Sequence, residues 1–139
     1  MIQCLGGCGT FVDFNLSAQQ FGDECLSTSK YTSEIKAAMK KAENKYHDKT
    51  IELTGKVDFV GTYTDSTEAY VQIYGKWEKP LVKQVLVTLK DFNDVQKVKE
   101  GDLIKIIGKF EGTDNEKKVI AGDIYDRYRI FLKDGELAK

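Results

Sequence analysis

The sequence predicts a mainly β chain in which an N-terminal helix leads into five strands that curl into one small barrel. Three observations predict it. Apolar residues recur every three or four positions from Tyr31 to Tyr46, which marks one stripe of a helix. After Lys49 the period drops to two and stays there through several short runs divided by turn residues, which marks strands with one buried face. The first of those runs is then echoed in the fourth.

Residues 1–29 carry little pattern and are expected to form an irregular N-terminal segment. Within them Asn15 or Ser17 can cap a short helix running to about Glu24, since either side chain accepts a bond from the free amides of a first turn. Residues 30–131 hold the helix and barrel, and 132–139 a C-terminal tail. In the helix, Tyr31, Ile35, Ala38, Met39, Ala42 and Tyr46 share the apolar stripe. Thr32 or Ser33 is the expected N-cap, Glu34 suits the positive end of the helix dipole, and Lys45 and Lys49 suit the negative end. Lys36, Lys40, Lys41, Glu43 and Asn44 fill the opposite face, which reads as solvated.

In the first strand Ile51, Leu53, Val57 and Phe59 alternate with Glu52, Thr54, Lys56 and Asp58. A turn is expected at Thr64-Asp65-Ser66. The second strand sets Ala69, Val71 and Ile73 inward and Tyr70, Gln72 and Tyr74 outward; the third sets Val85, Val87 and Leu89 inward and Gln84, Leu86 and Thr88 outward. Phe92, Val95 and Val98 suit a single helical turn. The fourth strand runs from Leu103 to Phe110, a hairpin turn is expected from Gly112 to Asn115, and the fifth runs from about Val119 through Ile124 towards Phe131.

The echo decides the architecture. Ile51-Glu52-Leu53-Thr54-Gly55-Lys56-Val57 matches Ile104-Lys105-Ile106-Ile107-Gly108-Lys109-Phe110 in hydrophobic type and in the Gly-Lys pair. A glycine inside a strand removes packing, and it is retained where the strand bends or another backbone comes close. Two strongly bent strands suit a small closed barrel of the OB type, in which closure removes the exposed edges. The chain also resembles the bacterial tRNA anti-like OB-fold proteins. The resemblance rests on Ala42-Glu43-Asn44-Lys45-Tyr46, on the join Tyr46-His47-Asp48-Lys49-Thr50, on Ile51 to Val57, and on Glu100-Gly101-Asp102-Leu103-Ile104-Lys105-Ile106-Ile107-Gly108-Lys109. It covers roughly residues 31–124 and implies an OB fold, often in exported or lipid-anchored proteins, with no established common ligand.

Composition narrows the function classes. A chain of 139 residues with 41% hydrophobic and 31% charged residues suits one ordinary globular domain. A net charge of −1 gives no global field for polyanions, so any such attraction must be local. Cys4, Cys8 and Cys25 fit reduced thiols, or one disulfide and a spare thiol; a zinc site lacks a fourth ligand in a compact motif, because the only His, His47, stands far off. Leu5-Gly6-Gly7-Cys8 is similar to the end of a lipoprotein signal, yet too few residues stand before it for a signal peptide. A chain starting naturally at Met1 is expected in the cytoplasm, and one whose upstream signal has been removed in the cell envelope or outside. No transmembrane segment is expected.

No catalytic residue, metal or cofactor is expected either. His47 sits in a charged turn, Asp58, Asp65 and Glu68 lack a companion motif, and no phosphate-binding loop or nucleophile elbow occurs. The expected function is therefore a non-enzymatic binding module that contacts a protein or a cell-envelope component. The alternative is single-stranded nucleic acid, held where aromatic rings stand among cations. The candidate ligand-binding residues are Tyr63, Tyr70, Tyr74, Lys76, Trp77, Lys79 and Lys83, with a second aromatic and basic cluster at Tyr125, Arg127, Tyr128 and Arg129.

Overall fold

Phe14–Ser17 is a strand, β1, and Ala18–Leu26 a helix, α1, so regular structure begins within the stretch where the sequence carries little pattern. Ser17 ends the one and caps the other. Its hydroxyl accepts from the amide of Gln20 at 3.0 Å while the Gln20 side chain accepts from the amide of Ser17 at 3.3 Å, a reciprocal capping box. The computed structural model describes residues 11–63 and 67–138; Cys4, Cys8, the glycines before Phe11 and the expected turn at Thr64-Asp65-Ser66 lie outside the described residues. The helix marked by the three-to-four spacing is α2, Thr32–Tyr46, and it buries Ile35, Met39, Ala42 and Tyr46. It is thus the second helix. Its N-cap is Tyr31, which makes no capping bond, and the Thr32 hydroxyl instead shares a 2.9 Å hydrogen bond with the phenol of Tyr128.

The remaining strands are β2 (Thr50–Lys56), β3 (Phe59–Thr62), β4 (Ala69–Glu78), β5 (Leu81–Leu89), β6 (Leu103–Ile120) and β7 (Asp123–Leu137). A 3₁₀ helix, Phe92–Lys97, stands between β5 and β6 at the helical turn that Phe92 and Val95 suggest. Among the described residues, seven strands belong to one sheet in the order β1-β2-β6-β7-β5-β4-β3. That is two more than the sequence suggests, for two reasons. β1 pairs parallel to β2, and the expected first strand breaks in two at Val57 and Asp58. On one side of the break, Val57 donates to the carbonyl of Asp102 and its own carbonyl accepts from Gly101, both at 2.8 Å. On the other, Asp58 donates to the carbonyl of Gln72 at 2.9 Å. The first half therefore continues against β6 and the second against β4. The break also re-phases the side chains: Ile51, Leu53 and Val57 are buried, whereas Phe59 is 42% exposed.

The core lies between the inner faces of the strands and the two helices. Val71, Val85, Val87, Ile106, Ile130 and Leu132 meet Phe21 and Leu26 of α1 and the apolar stripe of α2. The echoed strands are neighbours, paired antiparallel so that Ile51 faces Gly108 and Gly55 faces Ile104. The glycines serve close approach. A Cβ on Gly55 would stand 2.7 Å from the Cβ of Ala18, where α1 crosses the strand, and one on Gly108 would meet Leu132 and Val87 at 3.1 to 3.2 Å.

The reversal between β6 and β7 lies further along than expected. Ala121 and Gly122 occupy its centre with φ of 50° and 85°, the left-handed pair that a two-residue hairpin of matching twist demands. Gly112, expected at the turn, instead follows a register shift inside β6. Similarly, β7 runs on to Leu137 through residues expected to trail beyond the last strand, and Leu137 pairs with Ile106. Among the described residues no helix is long and apolar enough to cross a membrane.

Candidate functional site

The outer face of the sheet, away from the helices, gathers rings and cations from several strands. On β7 the alternation is uninterrupted: Tyr128, Ile130 and Leu132 are buried in the core, so Tyr125, Arg127, Arg129 and Phe131 point the other way. Register carries this face across the sheet. On β5, Gln84 lies beside Arg129 and Leu86 beside Phe131; on β4, Tyr70 lies beside Thr88; on β3, Phe59 lies beside Gln72.

Phe59, Thr62, Tyr63, Tyr70, Gln84, Leu86, Arg127 and Arg129 line a groove of about 190 Å³. Tyr63 also lines an adjoining hollow of about 460 Å³ that reaches Thr88, Glu111, Phe131 and Lys133. The rings are packed on one another. Tyr63 and Tyr70 have centroids 4.8 Å apart, Phe59 and Tyr70 5.9 Å, and the Arg129 guanidinium lies 4.9 Å from the centre of the Phe131 ring. Tyr63 is fixed by a 3.1 Å hydrogen bond shared with the Thr88 hydroxyl, and burial raises its phenol above the ordinary value despite that bond.

The two arginines are paired across the sheet with carboxylates. Arg129 donates to Asp114 at 2.7 Å and also reaches Glu116, which binds Arg127 directly. Burial, and next the repulsion of Arg129, push Arg127 down from the usual guanidinium value. The Nε atoms of both arginines, and Oε1 of Gln84, are buried without a hydrogen-bond partner. Gln84 is otherwise held by its amide, which donates to the side-chain oxygen of Gln72 at 2.7 Å.

The residues expected from the sequence divide into two groups. Tyr63 and Tyr70 lie in the groove, and Trp77, 60% exposed, stacks edge-on against Tyr125 with centroids 5.2 Å apart. Tyr74 and Lys83 do not join them. Tyr74 is 3% exposed beneath α1, with its phenol donating to Asp23 at 2.8 Å; burial first, and that carboxylate next, raise its pKa. Lys83 is 5% exposed and donates to the carbonyls of Ser27 and Ser29 at 2.7 and 2.9 Å, and burial followed by the nearby Lys76 lowers its pKa. Lys76 pairs with Asp23 at 3.0 Å and Lys79 with Asp123 at 3.0 Å.

One irregularity explains why Trp77 joins the outer face and Tyr74 does not. The register of β4 against β5 slips between Gln72 and Tyr74, so that two successive residues, Ile73 and Tyr74, are both buried. A bulge of this kind inverts the alternation beyond it, turning Tyr74 and Lys76 towards α1 and Gly75 and Trp77 to the face that carries Tyr70. Phe59 and Phe131 were not anticipated as site residues. Phe59 is revealed only by the break at Val57 and Asp58, whereas Phe131 continues the visible alternation of Tyr125, Arg127 and Arg129.

No group of three or more His, Cys, Asp or Glu side chains with metal-binding geometry occurs among the described residues. His47 is exposed and lies 3.1 Å from its neighbour Asp48. The Cys25 thiol is buried, and that burial raises its pKa.

The family described as tRNA_anti-like matches residues 12–121. No curated protein matches the chain. Among solved structures, the mitochondrial single-stranded DNA binding protein Rim1 of S. cerevisiae is similar at 14% identity over 65% of this chain and 94% of its own, with a TM-score of 0.36. The small single-stranded DNA-binding protein of Streptomyces coelicolor gives 11% identity, 66% and 95% coverage and a TM-score of 0.38. A Plasmodium falciparum SSB in complex with ssDNA gives 14%, 63% and 90%, and 0.36.

Proposed function

This chain belongs to the tRNA_anti-like family, an OB-fold family, and from that premise we propose that it is a non-enzymatic module that holds single-stranded nucleic acid on the outer face of a five-stranded barrel. In this reading β2 and β3 are two halves of the barrel's first strand. Their short join, bonded to Asp102 on one side and Gln72 on the other, brings the sheet round on itself, and β1 is an added edge. The face that OB barrels offer to ligands is built on their second and third strands, here β4 and β5.

The observation that carries the reading is the convergence of Phe59, Tyr63 and Tyr70 with Arg127 and Arg129 in one open groove. Each ring offers a flat face on which any base can stack, worth ~1 to 3 kcal/mol per base, and each guanidinium offers both a plane and a charge. This convergence favours nucleic acid over the protein or envelope component expected from the sequence.

The test is fluorescence anisotropy of labelled nonanucleotides of thymidine (DNA) and uridine (RNA) titrated with the protein at low salt. Saturable binding to at least one is expected, weakened ~5- to 100-fold by Tyr70→Ala and unaffected by Tyr31→Ala, an exposed aromatic away from the groove. Flat titrations with both oligonucleotides would falsify the proposal.

A further inference from the structure

The groove does not exhaust the ring-bearing face. Along β7 the outward residues read Phe131, Arg129, Arg127 and Tyr125, and each has a cross-strand neighbour on β6: Gly112, Asp114, Glu116 and Lys118. Gly112 leaves the Phe131 end open, the middle two pairs are ion pairs, and Lys118 sets a cation beside Tyr125. Beyond Tyr125 stands Trp77, brought across from the tip of the β4-β5 hairpin. The hairpin tips are tied together where Lys79 of one reaches Asp123 of the other at 3.0 Å. Two aromatic platforms thus stand on one face, separated by the arginines.

Resting on the nucleic-acid reading above, we infer that Trp77 and Tyr125 form a second stacking platform, and that one strand occupies both platforms by running along β7 over Arg129 and Arg127. Phe131 and Tyr125 are six residues apart, which on a strand is about 20 Å. At the ~3.4 Å spacing of stacked bases, three nucleotides fall well short of that span and nine exceed it. A trinucleotide therefore occupies the groove alone, and a nonanucleotide reaches the second platform as well.

The only tryptophan of the chain reports on this platform directly. Thymidine or uridine trinucleotides and nonanucleotides, whichever sugar binds better, are titrated with two readouts, anisotropy of a label on the oligonucleotide and fluorescence of Trp77. The nonanucleotide is expected to bind at least about tenfold more tightly than the trinucleotide, in keeping with ~1 to 3 kcal/mol per stacked base. It alone quenches Trp77, at the concentration where its anisotropy saturates. Trp77→Ala is expected to remove most of the length advantage and to leave the trinucleotide within about twofold. Anisotropy that saturates without quenching, a trinucleotide that quenches as fully as the nonanucleotide, or an unchanged length advantage in Trp77→Ala refutes the second platform while sparing the groove. Flat anisotropy at both lengths refutes both.

Discussion

At the scale of single residues, the arginines of the groove are engaged before any ligand arrives. Glu116 accepts from both Arg127 and Arg129, and Asp114 accepts from Arg129. The arginine side chains are 17 to 19% exposed, so these pairs are partly desolvated and hold their geometry better than surface pairs do. A phosphate approaching Arg127 must displace or share its carboxylate. Glu116→Gln keeps the shape and removes the competing charge, so it is expected to tighten oligonucleotide binding several-fold at low salt. Isothermal titration against the wild-type protein checks this, and weaker binding would mean that the carboxylate positions the guanidinium for the ligand. Gln84 and Gln72 join in a side-chain pair beneath the same groove, and their amides leave its floor polar between the rings.

At the scale of elements, α1 is fastened to the sheet by Asp23. Its carboxylate accepts from Tyr74 at 2.8 Å, Lys76 at 3.0 Å and Gln19 at 2.9 Å. Burial pushes the carboxyl up, but the bonds from Gln19, Tyr74 and Lys76 together outweigh it and hold its pKa below the ordinary value. A carboxyl whose pKa is lower folded than unfolded stabilises the fold above its unfolded value, near pH 4, and that contribution disappears as the pH falls through the folded one. Asp23→Asn is therefore expected to cost about 1 kcal/mol at pH 7, the discount reflecting partial exposure, with the difference closing towards pH 3. Urea unfolding across that range measures it. Asp126, also held down by bonds from Tyr128, Asn115 and Lys117 that outweigh its burial, leaves the variant a residual sensitivity to acid. Much of this architecture was legible in the sequence: the helical stripe, a short helix capped at Asn15 or Ser17, and the two glycine-bearing strands. The rest turned on register. The bulge after Gln72 and the break after Val57 each invert an alternation, and no local residue pattern marks either, because long-range pairing with β5 and β6 sets them. The β6-β7 reversal was misplaced for a related reason, since Gly112 looks like a turn residue but sits beside a register shift within a strand.

At the scale of the whole molecule, a net charge of −1 and a proposed binding face whose arginines are matched by two carboxylates make an unusual setting for a polyanion. Long-range steering is weak, because no single-signed field extends beyond a Debye length of about 10 Å at 0.1 M salt. Affinity must then come mainly from stacking, which salt barely affects. For single strands, log affinity falls with log salt at a slope of about −0.7 for each phosphate neutralised. With Asp114 and Glu116 offsetting Arg129 and Arg127, and Lys118 adding one cation to the row, about one to three neutralised phosphates give a slope between roughly −0.7 and −2. Glu116→Gln unmasks one more charge, so its slope is expected to be steeper by about 0.7 and its advantage over the wild type to shrink as salt rises. Binding curves from 20 to roughly 500 mM salt read both quantities at once, across a range in which counterion release dominates any charge-led affinity. A wild-type slope near −5 would place the strand on lysines elsewhere on the surface. Equal slopes for the two proteins would show that the ion-paired row does not meet the backbone of the strand.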